Sequence, residues 1–162
     1  MIAALVLSAL LLQTPAPGLT VYVFATIDCP ISSRYTPEIQ RLAKKFTTTA
    51  KFVIVYPVPG DSEEKIAEHR KKFGSGLSFV RDTDLSLVKL TGVKVTPEVA
   101  VMKGSTLLYR GRIDDRFVDF GKERAAPTER NLEAALSAAI AGKPIPVAQT
   151  QAIGCIIADL VR

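Results

Sequence analysis

The sequence predicts one α/β domain in which helices flank a central mixed β-sheet. Two apolar runs rich in β-branched and aromatic residues, Leu19 to Ala25 and Lys51 to Tyr56, read as strands buried on both faces. Segments of helical spacing alternate with them and with later strands in the order βαβαβαββα, the signature of a sheet layered by helices. A chain of 162 residues, 48% hydrophobic and 23% charged, suits a single core with appendages and excludes disorder or coiled coil as the main body.

The first eighteen residues carry no charged side chain, and Ile2 to Leu12 is an apolar run shorter than the ~20 residues that span a bilayer. With the breaker-rich Pro15-Ala16-Pro17-Gly18 behind it, residues 1–18 read as a signal peptide, so the mature chain is expected to be exported, periplasmic or secreted, without a membrane span. Residues 19–142 form the expected domain, and residues 143–162 a C-terminal tail. After the first strand, Ile31, Tyr35, Ile39, Leu42, Ala43 and Phe46 recur at helical spacing, with Pro30 at the start and Pro37 inside, which predicts a kinked helix. Asp61 and Glu64 resemble a capping pair opening a helix to about Phe73. Leu77 to Arg81 reads as a short strand, Asp82-Thr83-Asp84 as the cap of a short helix, and Gly92 as its end. Glu98 to Arg112 reads as a hairpin turning at Lys103-Gly104-Ser105. Asp114 to Thr128 is polar with Gly121 and Pro127 and is expected to be a loop, followed by a helix from Thr128 or Glu129 ending at Gly142.

Charge and composition remove several functions. Twenty-one basic against sixteen acidic side chains leave a net charge of +5, but the two signs are interleaved, so no nucleic-acid surface is expected. Two cysteines and one histidine cannot supply the four ligands of a structural zinc, and neither metal nor cofactor is expected. Asp114-Asp115 lacks the oxygen count of a calcium site and reads as a loop salt-bridge cluster with neighbouring arginines. His69, in a polar helical stretch, reads as a solvated surface residue.

Cys29 carries the chemistry. It follows an expected central strand and opens an expected helix, where backbone N–H groups stabilise a thiolate. Cys29 is therefore expected to be exposed and reactive.

The segment Cys29-Pro30-Ile31-Ser32-Ser33-Arg34-Tyr35-Thr36-Pro37 resembles the active-site segment of thioredoxin-like proteins, with the helix-kinking proline eight residues after the reactive cysteine. Gly92-Val93-Lys94-Val95-Thr96-Pro97-Glu98, followed by a hairpin, is similar to the segment that holds the cis-proline of that fold. The strand and helix between Leu77 and Leu90 resemble the redoxin and alkyl hydroperoxide reductase branch, including exported TlpA-like oxidoreductases, and Arg110 to Phe117 resembles a subgroup with a CPIS-type active site. The resemblance spans about Leu19 to Ala141. It implies a thioredoxin-like fold, Cys29 as nucleophile, and a groove of Pro30, Thr96 and a cis Pro97 that holds an extended substrate strand.

Departures from that pattern matter equally. Ser32 replaces the second cysteine of C-x-x-C, and Val23 stands where thioredoxins carry a buried acid. Ser32 is read either as a hydrogen-bond donor to the thiolate or as an inert helix-start serine. Asp28 would oppose a thiolate if close. Thr26-Ile27-Asp28-Cys29 resembles the T-x-x-C core of peroxiredoxins, but Tyr22 replaces the preceding proline and Thr96-Pro97 stands where their arginine is supplied; Arg34, Arg110 or Arg112 would have to substitute.

Cys155 has three readings: a resolving thiol brought back by the tail, half of a permanent disulfide, or an unpaired cysteine. The resulting expectation is a thiol–disulfide oxidoreductase acting on protein or small-molecule disulfides and thiols with an external reductant. The alternatives are a thiol peroxidase using Cys29 and Thr26 on peroxides, and a non-catalytic binding module.

Overall fold

The structure is a computed structural model and describes residues 18–74 and 77–157. The expected signal segment before Gly18, the Ser75-Gly76 helix stop and the last five residues of the tail lie outside the described residues. In chain order the elements are β1 (Leu19–Phe24), α1 (Pro30–Arg34), α2 (Thr36–Lys45), β2 (Ala50–Tyr56), α3 (Glu63–Lys71), β3 (Ser78–Arg81) and α4 (Ser86–Thr91). There follow β4 (Val95–Thr96), β5 (Glu98–Lys103), β6 (Thr106–Gly111), β7 (Phe117–Asp119), β8 (Lys122–Glu123), α5 (Asn131–Ile140) and β9 (Cys155–Ile156).

The two apolar runs lie mid-sheet, as their composition requires. The main sheet has the order β3-β2-β1-β5-β6, with β1, β2 and β3 parallel and β5 and β6 antiparallel. Val21, Val23, Phe24, Ile54 and Val55 are fully buried, because helices cover both faces and leave no side of these strands to water. The register decides where chemistry can occur. Phe24, the last residue of β1, pairs with Glu98, the first of β5. The loop leaving β1 toward Cys29 and the segment entering β5 through Thr96-Pro97 therefore meet at one end of the sheet.

The expected kinked helix is two helices broken at Tyr35, with Pro37 in the first turn of α2, where its missing N–H costs nothing. Tyr35 is held by its hydroxyl, which donates to Asp114 Oδ1 at 2.6 Å, and by its ring against Phe117. The Asp82 carboxylate accepts from the Leu87 and Val88 amides and the Ser86 hydroxyl, capping α4 as its position suggested. The hairpin of β5 and β6 turns where the sequence places it.

Three expectations need correction. Ser62, not Asp61, caps α3, its hydroxyl accepting from the Lys65 amide. His69 is buried, 3% exposed, and its Nδ1 shares a 3.0 Å hydrogen bond with the Tyr56 hydroxyl. Ile66, His69 and Phe73 form the inner stripe of this otherwise polar segment, and burial holds the His69 pKa below its ordinary value, so the ring is neutral near pH 7. The segment expected as a plain loop contains the small β7–β8 hairpin, whose short strands carry no period to read.

Within that segment Asp115 organises the approach to α5. Its carboxylate accepts from the Thr128 amide at 2.7 Å, the Glu129 amide at 2.9 Å and the Thr128 hydroxyl, and pairs with Arg124 at 3.3 Å. These bonds hold Thr128 and Glu129 outside the helix, so α5 begins at Asn131. Asp114 accepts from the Tyr35 hydroxyl and the Arg116 amide, and among the described residues no group of three His, Cys, Asp or Glu side chains could hold a metal ion. No helix among them is long and apolar enough to cross a membrane.

After α5 the chain returns along β6. The Arg110 amide donates to Ala148 O and the Thr150 amide to Arg110 O, both at 3.0 Å. Gly111 permits this approach, since a Cβ there would stand 2.8 Å from the Thr150 nitrogen. The chain then crosses to β4, against which β9 lies antiparallel.

Burial raises the Asp115 pKa, but the Glu129 and Thr128 donors and Arg124 outweigh it and bring it to about 2. Asp115→Ala should therefore lower stability by about 2 kcal/mol at neutral pH through stranded donors. The folded pKa is below the unfolded one, so the difference is complete above about pH 4 and vanishes as pH falls through about 2. Urea unfolding of both proteins across that range checks it.

Candidate active site

Cys29 occupies the N-cap of α1 in an extended conformation, with its amide bonded to Thr26 O and its carbonyl accepting from Ser33. Pro30 takes the first helical position, where no amide donor is needed, and is exposed. Opposite stands the Gly92 to Glu98 segment. The Glu98 carboxylate accepts from the Lys94 amide at 2.7 Å and the Val95 amide at 3.2 Å, and Arg110 donates to Gly92 O while lying 3.8 Å from Glu98. These bonds fix the segment, in which the Thr96-Pro97 peptide is cis. The Cys29 thiol donates to Thr96 O at 3.2 Å, and the Thr26 and Thr96 hydroxyls are 3.3 Å apart. Thr26, Ser32 and Thr96 are buried.

The structure thus brings Cys29, Ser32, Thr26, Pro30, Thr96 and Pro97 to one place. It also brings Cys155 there. In the β4–β9 pair Thr96 lies opposite Cys155 and Val95 opposite Ile156, and the Ile157 amide extends the ladder to Lys94 O at 2.9 Å. Both cysteines are thiols.

One expectation needs correction. Cys29 stands at a helix start but is 2% exposed rather than open, as part of a core cluster against which Ile153 and Cys155 pack.

Burial disfavours the Cys29 thiolate, but the Ser32 amide and hydroxyl, then the Cys155 thiol and amide, donate to it and hold its pKa below that of an ordinary thiol. The buried Ser32 hydroxyl has no hydrogen-bond partner among the described residues, which leaves it available to a Cys29 thiolate. Cys155 shifts the opposite way, to about 11, through burial and then through its hydrogen bond to Cys29 and the charge there. The two thiols are thus shifted in opposite directions, the Cys29 pKa down and the Cys155 pKa up. Asp28 is exposed.

The residues a peroxidase would need are engaged elsewhere. Thr26 meets the Thr96 hydroxyl, Arg34 pairs with Glu123, Arg110 with Gly92 O and Glu98, and Arg112 with Asn131 and Glu129. Asp61, read from the sequence only as a helix cap, is buried, and burial and then the charge of Asp28 raise its pKa. The apolar tail around Cys155, Ile157 included, predicts docking on the domain, whereas the close fit of Gly154 has no signal in the sequence.

No family model and no curated protein matches the sequence. Solved structures do match. An uncharacterized conserved protein from Geobacillus kaustophilus is 25% identical with a TM-score of 0.73, over 88% of this chain and 77% of that one. A hypothetical protein from Sinorhizobium meliloti is 23% identical with a TM-score of 0.74, over 88% and 80%. A secreted Mycobacterium tuberculosis disulfide oxidoreductase, homologous to E. coli DsbE, is 15% identical with a TM-score of 0.52, over 76% and 83%. Thioredoxin-like proteins are among the matches, and the fold of this chain is thioredoxin-like, with a central mixed sheet flanked by helices.

Ser32→Ala should raise the pH at which Cys29 becomes reactive toward iodoacetamide, since it removes a donor to the thiolate and leaves burial in place. Peptide-resolved alkylation across pH 5 to 11 measures this. An unchanged midpoint would refute the role of Ser32.

Proposed function

We propose that the protein is a thiol–disulfide oxidoreductase in which Cys29 attacks and Cys155 resolves. The observation that carries the reading is the Cys155 thiol held against the Cys29 sulfur by the pairing of β9 with β4. It supplies from the tail the second thiol that Ser32 withholds from the motif.

The Cys29 thiolate attacks one sulfur of a substrate disulfide, forming a mixed disulfide, and the departing thiolate takes up a proton. Burial of negative charge at Cys29 then ends. Two of the three influences that raise the Cys155 pKa, its hydrogen bond to Cys29 and the charge there, disappear with it. Cys155 can now lose its proton and attack the Cys29 sulfur, which closes a Cys29–Cys155 disulfide and releases the second substrate thiol. Two electrons pass from the cysteine pair to the substrate, with one proton from Cys155 and the other from the solvent that took up the Cys29 proton on its ionisation. A dithiol reductant restores the pair; run in reverse, the same steps oxidise a substrate dithiol.

The substrate groove consists of Pro30, Thr96 and Pro97, and the substrates are protein or small-molecule disulfides. The uncharged apolar N-terminal run supports an exported protein, in keeping with the secreted relative of this fold. No cofactor takes part in these steps. The peroxidase reading loses ground because Arg34, Arg110 and Arg112, the arginines that would have to orient a peroxide, are each engaged with other partners.

Treatment with oxidised glutathione should remove two hydrogens from the reduced protein, seen as a non-reducing mass with both thiols blocked to alkylation. Cys155→Ser should instead accumulate a glutathione adduct on Cys29, and Cys29→Ser should do neither. Equal turnover of the parent and Cys155→Ser, with no adduct, would end the resolving role.

A further inference from the structure

We propose that β9 is a built-in surrogate for the substrate strand, so that a substrate segment binds the β4 edge only when β9 leaves it, and that this edge selects a glycine immediately before the substrate cysteine. The inference rests on the oxidoreductase reading and gives it a substrate class: extended peptide segments containing Gly-Cys.

The first support is occupancy. An extended segment presenting a sulfur to Cys29 must use the backbone of Val95 and Thr96, the edge nearest that sulfur. That edge is already paired, with Cys155 opposite Thr96. Cys29 is 2% exposed, so an external disulfide cannot align with its sulfur while β9 is in place. Attack on a substrate and docking of β9 are mutually exclusive, whereas resolution requires β9 to return with its thiol.

The second support is steric. Gly154 is buried against the Thr96-Pro97 peptide. A Cβ at this position would overlap the Thr96 oxygen and stand 2.6 Å from its carbonyl carbon and 3.1 Å from the Pro97 nitrogen. All three are backbone atoms of a segment fixed by Glu98, so none can rotate aside. Any strand that takes the register of β9 meets the same wall one residue before its cysteine, and only glycine fits.

The third support is how β9 is attached. Upstream, Thr150 is anchored firmly: its amide bonds Arg110 O, and its hydroxyl accepts from the Arg112 amide and meets the Tyr109 hydroxyl at 2.7 Å. From Gln151 to Gly154 no backbone hydrogen bond ties the chain to the domain among the described residues. Beyond it the strand is held by a two-residue ladder, the Ile157 amide, and the Ile157 side chain buried with Val93 and Phe24. This is an anchored hinge followed by a short strand whose apolar contacts among the described residues are the partly buried Ile153 and Cys155 and the buried Ile157, a unit small enough to open locally without unfolding the sheet.

The test uses the full chain carrying Cys155→Ser, in which Cys29 is the sole thiol. Adding Gly154→Ala or Ile157→Ser should raise the rate of Cys29 alkylation by iodoacetamide about tenfold or more, by enlarging the open population. A synthetic Ala152–Ile157 peptide with serine in place of its cysteine should slow alkylation of the Ile157→Ser protein, and the same peptide with alanine in place of its glycine should not. Far-ultraviolet circular dichroism confirms folding of each variant, and if Gly154→Ala does not fold, Ile157→Ser and the two peptides still decide. Unchanged alkylation in the folded variants would overturn the surrogate role, and equal protection by both peptides would overturn glycine selection. Alkylation does not require turnover, so these results stand apart from the glutathione test of the oxidoreductase reading.

Discussion

Two residues of β9 lying antiparallel against Val95 and Thr96 determine the state of the reactive thiol. The pairing removes Cys29 from water, which alone would suppress ionisation, and in the same geometry supplies the Cys155 amide and thiol as donors that favour it. Water is exchanged for fixed dipoles. A buried thiolate is tolerable only under that exchange, because an uncompensated charge in a low-dielectric site would neutralise instead. With β9 withdrawn, both the burial and part of the compensation are lost together.

The pairing is possible because of the sheet beneath it. Antiparallel register between β1 and β5 sends the nucleophile loop and the Thr96 segment out of the same end. Glu98 then accepts from two amides of that segment, leaving the Thr96 edge fixed and open toward Cys29. Tyr35 ties the α1–α2 break to Asp114. The edge is stiff, while the strand that covers it is short and hinged. Stiffness on one side and mobility on the other is what a site needs if it must both admit a partner and return a resolving thiol.

The acid–base division between the cysteines follows from the same contacts. One proton is favoured on Cys155 because a charge on Cys29 already occupies the neighbourhood. Under the proposed oxidoreductase reading this asymmetry favours Cys29 as the attacking thiol and Cys155 as the resolving one. A second cysteine inside the motif would sit on the same rigid helix start. One carried by the tail couples resolution to strand docking.

The sequence alone determined the central strands, the α1–α2 break, the helix-start position of Cys29 and the Thr96-Pro97 landmark. Each is a local property: β-branched runs that need burial on two faces, prolines that cannot donate, glycines and aspartates that end or cap a helix. The placement of Cys155 was legible only as a possibility, since a tail of that length closes at little entropic cost to many places. Tertiary structure decided among them through the space beside Thr96, which admits a glycine and then a cysteine. It also buried His69, whose polar neighbours concealed an inner stripe shared with Ile66 and Phe73, and it covered Cys29. Two-residue strands such as β4 and β9 leave no period in a sequence, so their pairing is selected by shape and hydrogen-bonding need once the rest of the fold has formed.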